Sequence, residues 1–350
     1  MAINQSLALI DRGHEVMIAG SYRGYSAPPN FCEGVPARLF PSTNIVPGSG
    51  FSGLTSPRLF AWLGRYVGKF DVVHIHAGRD LVTLPAARIA ALRGVRYVIQ
   101  THGMIDRSDR PLAKPLDALL TLPVLRRAHR ILTLTDDERL DLEEVVGQNH
   151  IRMIQVPNGV PSTTIVASPN DAAPEVLYLA RLAPRKRPLA FARAAMALQR
   201  EFPTAKFALV GPDEGEGEAV SEQCRVAASQ GARLTWEGPV PPAETIKRMS
   251  KASVYVLPAI DEPYPMSVLE AMSVGLPVVL TESCGLATFV SNAEGGIVTG
   301  ADDHSLIQAI RLLLADPEAA RRLGDNGRSA VRAERSMDLI AVALECAYAS

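Results

Sequence analysis

Cysteine is scarce in this chain: four residues in 350, at positions 32, 224, 284 and 346. No C-x-x-C pair and no Cys/His cluster occurs, so neither a zinc-ligand pattern nor a disulfide framework is present. Four reduced thiols fit a cytoplasmic protein. A basic excess is also missing. Lys and Arg total 36 against 37 for Asp and Glu, a net charge of -1, where a general nucleic-acid binder carries surplus positive charge. Long apolar runs are absent, and nothing approaches the ~18 residues that cross a bilayer. The opening MAINQSLALIDRGHE has charges where the apolar stretch of a signal peptide would lie.

What is present is core-forming sequence. Hydrophobic residues make up 47% and charged residues 21%, enough apolar material for two domains of moderate size. Short apolar runs alternate with helical patterns, the arrangement of βαβ units around parallel sheets. Ile3, Leu7 and Ile10 predict an opening helix stopped at Gly13. Strands are expected at 16–19, 71–76, 97–101, 131–134 and 154–156. Thr135 and Glu138 have the spacing of a capping box for the helix that stops at Gly147. The stretch 161–174, PSTTIVASPNDAAP, is the linker candidate. Behind it a second series gives strands at 176–180, 206–210, 233–236, 254–257 and 278–280. Helices are expected near 267–275, 305–315 and 336–348. The resulting division is 1–160, linker 161–174, 175–334, and a terminal helical stretch 335–350.

Several motifs compete for a function. Gly48, Gly50 and Gly53 form a literal G-x-G-x-x-G, but prolines bracket the run before it and no strand leads in, so a loop is the better reading than a dinucleotide site. His74-x-His76 would put two rings on one face of a strand. Without a carboxylate or thiol nearby it reads as a structural pair rather than a metal pair. The run DEGEGE at 213–218 lacks calcium-loop spacing and reads as a solvated loop. Arg181 and Lys186 lie between a strand and a helix, where amides and cations converge on phosphate groups. Glu262 and Glu270 stand seven residues apart around the start of a helix. Ser267-x-x-Glu270 also has capping-box spacing. Glu262 has no such structural role, and with the amides of Met266, Ser267 and Val268 it could bind sugar hydroxyls.

Taken together, these residues make the chain resemble the retaining glycosyltransferases of glycosyltransferase family 4. The resemblance runs through GHEV, DVVHIH, THG, VPNGV, RLAPRK, LVGPDEG, WEGPV and the E-x7-E block ahead of AMSVGLPVV. It implies an α/β chain of the GT-B fold: two doubly wound Rossmann-like domains facing a central cleft, with the last helix crossing back onto the first domain. It implies that Arg181 and Lys186 hold a donor diphosphate. Glu270 would bind the ribose, and Glu262 the transferred sugar. Met266, Ser267 and Val268 would lend amides, and His102 would lie near the donor sugar. The implied donor is a UDP-, GDP- or ADP-sugar, with no metal and no other cofactor. The implied acceptor is a glycan or a lipid-linked glycan, in surface polysaccharide or glycolipid synthesis.

Family members begin with a strand and a glycine-rich loop, whereas this sequence begins inside the helix that leads to G-H-E-V. A central strand is therefore expected to be missing from the first sheet. The alternative function is a truncated, catalytically impaired nucleotide-sugar-binding protein. A cytoplasmic location is expected. Arg107, Arg110, Lys114, Arg126, Arg127 and Arg130 keep peripheral contact with the inner membrane face as the alternative to an ordinary solvated helix face.

Overall fold

The computed structural model describes residues 1–46, 48, 50–108, 113–147, 152–170 and 172–349. Arg110 of the basic stretch and Asp171 of the expected linker lie outside them. The chain divides into two compact units. Met1–Asn158 with Met337–Ser350 form the first, and Gly159–Ser336 the second. The stretch 161–174 is not a free connector. Ala167 N–H donates to Val274 O at 2.7 Å and Ser168 N–H to Ser250 O at 2.9 Å, so it straps onto the second unit.

The first unit opens with α1 (Ala2–Asp11). Strand β1 (Ile18–Tyr22), expected two residues earlier, runs parallel to β2 (Val35–Pro41). β2 escaped sequence reading because prolines stand at its second and last positions, although it is the middle strand of three, paired on its other side with the short antiparallel segment Phe31–Cys32. A separate parallel sheet contains β3 (Val72–His76), β4 (Arg96–Gln100), β5 (Arg130–Thr133) and β6 (Met153–Gln155), in that order. Alternation along β4 builds two cores. Tyr97 and Ile99 pack with Leu84 of α2 (Thr83–Leu92), Leu125 of α3 (Leu122–Arg127) and Leu142 of α4 (Asp136–Val146). Val98 faces the other way, onto Leu9 of α1 and onto Ile340 and Leu344 of the C-terminal helix Met337–Ala349. Gly50–Gly53 form a short 3-10 turn rather than a strand-to-helix phosphate loop.

The second unit is one six-stranded parallel sheet. Its strands are β7 (Glu175–Leu179), β8 (Lys206–Val210), β9 (Leu234–Trp236), β10 (Val254–Leu257), β11 (Val278–Thr281) and β12 (Gly296–Thr299). Their spatial order is β9-β8-β7-β10-β11-β12. Every residue of β10 and β11 is buried, as expected of strands covered on both faces. Helices α5 (Pro188–Leu198), α6 (Gly217–Ser229), α7 (Met266–Ser273), α8 (Asp303–Ala315) and α9 (Pro317–Glu334) accompany the sheet. The acidic run 213–218 is half loop and half helix start, because Asp213 Oδ1 accepts the amides of Gly215 and Gly217, both at 2.8 Å. α9 is charged and carries two internal glycines, which hid it from pattern reading. The fold needs one of them: a Cβ at Gly324 would lie 2.0 Å from the carbonyl oxygen of Gly275.

Candidate active site

Strand order reverses between β7 and β10, and in open parallel sheets that crevice beyond the strand ends is where ligands bind. Two loops leave the sheet there. After β7 the chain passes Arg181 and makes a 3-10 turn at Pro184–Lys186. Arg187 follows at φ 52° and opens α5. A left-handed conformation is uncommon for any residue other than glycine. Arg187 is held in it by Asp303 Oδ1 at 3.3 Å and Pro258 O at 3.4 Å. The neighbouring strand β8 is followed by Gly211, where a Cβ would lie 2.0 Å from Ala180 O, so the Arg181 loop packs directly on that backbone. After β10 the chain turns through Asp261 (φ 49°), whose N–H donates to Ser283 Oγ at 3.0 Å, and reaches Glu262.

These loops bring Lys186 and Glu262 together. Both are buried, at 8% and 9% exposure, and Nζ lies 2.8 Å from Oε2. Arg185, more exposed, reaches the same Oε2 at 2.6 Å and donates to Asp261 O at 2.9 Å. Two cations share one carboxylate, so the cluster retains one uncompensated positive charge. A group with that charge at a strand-to-helix turn is suited to an anion. Arg181 does not join this cluster. Its guanidinium pairs with Glu214 Oε1 at 2.9 Å, and both side chains are largely exposed.

The remaining residues of the block depart from sequence expectation in two ways. The Ser267/Glu270 capping box does not form. α7 starts one residue earlier, behind Pro265, with no side-chain cap, and the Ser267 hydroxyl instead accepts from Tyr255 OH at 2.7 Å. Val268 N–H is already used by Pro265 O at 3.1 Å, so it is not among the free amides. The Glu270 carboxylate has no hydrogen-bond or ion-pair partner among the described residues, and burial raises its pKa. A half-buried acceptor without a partner suits ligand hydroxyls.

In the first unit, His102 follows the carboxyl end of β4 at φ 53°. Its Nε2 lies 2.7 Å from His76 Nδ1, and the two rings stack with centroids 5.0 Å apart. His76 stacks on His74 at 4.6 Å, and His74 Nδ1 meets the Tyr348 hydroxyl at 2.8 Å. No group of three metal-ligating side chains surrounds them among the described residues. The His102 turn is fastened by Glu138, which is 5% exposed. Glu138 Oε1 accepts from Thr101 Oγ1 and Gly103 N, both at 2.5 Å, and Oε2 accepts from Leu134 N at 2.6 Å. Half of the expected capping box exists, since Thr135 Oγ1 accepts Glu138 N–H at 3.2 Å. The carboxylate leaves its own helix to hold the His102 loop.

Two family descriptions match this sequence, one per unit. "Glycosyl transferase 4-like domain" matches residues 4–159 and "Glycosyl transferases group 1" matches residues 165–330. The chain belongs to the group 1 glycosyltransferases of the GT-B fold. Relatives of this glycosyltransferase include D-inositol 3-phosphate glycosyltransferase of Nocardia farcinica, 26% identical over 92% of this chain and 78% of the relative. Another is the UDP-Gal:alpha-D-GlcNAc-diphosphoundecaprenol alpha-1,3-galactosyltransferase of Escherichia coli, 27% identical over 75% and 71%. Among solved structures, HepE of Anabaena in complex with UDP and glucose shares the fold, with TM-score 0.76 and 17% identity over 100% of this chain and 96% of that one. Sucrose-phosphate synthase of Thermosynechococcus elongatus aligns with TM-score 0.75 at 20% identity, over 99% and 91%.

Sequence reading of the glycosyltransferase missed Arg185 and Glu138 as site residues. Arg185 stands in a run of three basic residues, where only the fold shows which one meets Glu262. Glu138 carried a signal, its helix-start spacing, that pointed to a different partner.

The histidine stack predicts that the first unit loses stability in acid. Burial pushes His74 down to about 3 and His102 down to about 4, and burial with its ring neighbours lowers His76 too. The unfolded chain takes up these protons near pH 6.5 and the folded one does not, so stability is full above that pH. It falls as pH drops from about 6.5 towards 4, by up to about 1.4 kcal/mol per pH unit per histidine. Urea melts of a Trp236→Phe variant, read through Trp62 in the first unit, should show a lower midpoint at pH 5 than at pH 7.5. Equal midpoints would contradict a buried neutral stack.

Proposed function

We propose that the protein transfers a sugar, with retention of configuration, from a nucleoside-diphosphate sugar to a glycan or lipid-linked acceptor in surface polysaccharide or glycolipid synthesis. The observation that carries this reading is the buried Lys186–Glu262 pair with Arg185 at the strand-order reversal of the second unit. Departure of a nucleoside diphosphate builds negative charge on the phosphates. A fixed cation in a low-dielectric site stabilises that charge more than the spread charge of the bound donor. Arg185 and Lys186 are set for this, and the net positive charge of their cluster leaves room for one more anion. The proposal needs no metal. Arg181, exposed on its loop, would exchange Glu214 for phosphate on donor binding. Glu270, unpartnered, takes the ribose hydroxyls, while Glu262 orients the transferred sugar. His102, neutral at physiological pH, suits a hydrogen bond to sugar rather than an ion pair. A front-face departure, in which the leaving phosphate takes the acceptor proton, assigns no nucleophile to Glu262.

The relatives support the donor and acceptor classes. One named galactosyltransferase uses a UDP-sugar and a diphosphoundecaprenol acceptor, and HepE was crystallised with UDP. No helix among the described residues is long and apolar enough to cross a membrane. We place the enzyme in the cytoplasm, meeting any lipid-linked acceptor peripherally. A thermal-shift panel of UDP, GDP, ADP and their sugars tests the reading. One base should raise the melting temperature above the others, and Arg181→Ala should weaken that shift. Absence of any shift with all three bases would sink the donor assignment. NMR of the product then reads anomeric retention directly.

A further inference from the structure

A basic cavity at the opposite end of the first sheet takes no part in the chemistry proposed above. His76 and His102 sit at the carboxyl ends of β3 and β4, whereas this cavity opens at the amino ends of β4, β5 and β6. Its volume is about 490 Å³, and its lining includes Arg96, Arg127, Arg152, Tyr97 and His129. That size admits a small phosphorylated molecule or a headgroup. Each arginine comes from a different segment: Arg96 begins β4, Arg127 ends α3, and Arg152 precedes β6. None of the three has a carboxylate within ion-pair distance among the described residues. Arg96 makes one long contact, 3.4 Å, to the carbonyl oxygen of Tyr348. Elsewhere on this chain arginines are routinely neutralised, as Arg79 is by Asp106 and Asp117, and Arg248 by Glu175 and Glu237.

His129 gives a second observation. Its backbone is fixed by a 2.9 Å bond from its N–H to Tyr97 O, yet its side-chain Nε2 is buried with no hydrogen-bond partner among the described residues. Its pKa is lowered by burial and then by the charges of Arg130, Arg96 and Arg152, so several cations act on this one ring. Among the described residues, three guanidiniums around this concavity have no carboxylate counter-charge, and an imidazole nitrogen in its lining has no hydrogen-bond partner. Guanidinium forks match the oxygens of a phosphate in geometry and charge.

We propose that this cavity is a phosphate-binding site, distinct from the nucleotide-sugar site, in which Arg96, Arg127 and Arg152 hold the phosphate group of a small ligand or of an anionic lipid headgroup. The site stands on the first unit alone and does not depend on the proposed reaction. A bound dianion offsets most of the arginine charge. His129 then loses the repulsion that disfavours its protonated form, so it reports on occupancy.

The test follows the His129 ring resonances by NMR in a Lys186→Ala background, which weakens the competing phosphate site. Glycerol 3-phosphate is the soluble probe, and vesicles of phosphatidylglycerol in phosphatidylcholine, against phosphatidylcholine alone, are the lipid probe. Saturable movement of the His129 signal with millimolar glycerol 3-phosphate, together with an upward shift in its titration, supports the site with a free phosphate as ligand. Co-sedimentation with the anionic vesicles only, accompanied by the same His129 change, supports it with the lipid headgroup as ligand. Arg127→Ala with Arg152→Ala, both exposed and safe for folding, should weaken either response by roughly tenfold or more. A His129 signal that ignores both probes overturns the proposal, and so does a response that the double variant leaves intact.

Discussion

Lys186→Ala is expected to lower kcat/KM by roughly 10² to 10³, the size of loss seen when one preorganised charge-stabilising donor is removed from a transition state. The larger share should fall on kcat, because the negative charge it meets grows as the sugar–phosphate bond breaks. Lys186 is also the buried partner of Glu262, and removing it leaves that carboxylate with the half-exposed Arg185. A purely structural role is therefore a rival explanation for lost activity. Pairing Lys186→Met with Glu262→Gln separates the two. If Lys186 only neutralises Glu262, the double variant recovers the UDP binding that the single one loses, whatever Glu262→Gln itself costs in orienting the sugar. If it stabilises the leaving diphosphate, the double variant stays at least as inactive, and UDP binding stays weak. Recovery of UDP binding in the double variant would remove Lys186 from the chemistry.

Glu138→Ala is expected to destabilise the first unit by about 3 kcal/mol, because two buried donors and one half-buried donor lose their acceptor at once. Thr101 Oγ1, Gly103 N and Leu134 N have no other acceptor among the described residues. Glu138→Gln offers one oxygen and one NH2 group in place of two oxygens, so one end of the side chain must face a donor with a donor. It should therefore remain well short of wild type. Urea melts read through Trp62 check the magnitude, and amide hydrogen exchange at Gly103 checks the place. Exchange at Gly103 should quicken ahead of exchange in β5. A loss under about 1 kcal/mol would show that Glu138 is not the fastener of the His102 loop.

Regular elements were the most legible part of this fold. β8 and β10 read off at their observed limits because each is a short run of apolar residues between breakers, and burial on both faces demands that composition. The C-terminal helix was legible for the same reason. β12 and α9 were not. A strand that begins with glycine and a charged helix interrupted by Gly324 and Gly327 both break local rules, and they do so for contacts made with distant parts of the chain. Gly324 is the clearest case, since only its closeness to Gly275 explains it. In the site, residue types and order were visible at Arg181, Lys186, Glu262 and Glu270, because polar residues after strand ends have few other roles. Pairings were not visible. That Lys186 meets Glu262 while Arg181 meets Glu214 depends on loop conformations fixed by left-handed residues at 187 and 261. The coupling of His76 to His102 spans two strands, and no local pattern announces it.

The placement of Met337–Ala349 in the first unit has a consequence for the order in which the molecule can be made. Residues 159–336 are an insertion between two pieces of one core: Val98, Leu132 and Val156 come before it, and Ile340 and Leu344 after it. During synthesis the second unit can close as soon as Ser336 is free, for its sheet lies wholly within one stretch of chain. The first unit must wait with one face of its sheet uncovered until the last thirteen helical residues emerge. The two crossing points are bound side by side, with Val160 N–H donating to Arg335 O at 2.9 Å. Completion of the inserted unit thus brings the returning chain back beside the place where it left, which shortens the search of the final helix for its waiting sheet.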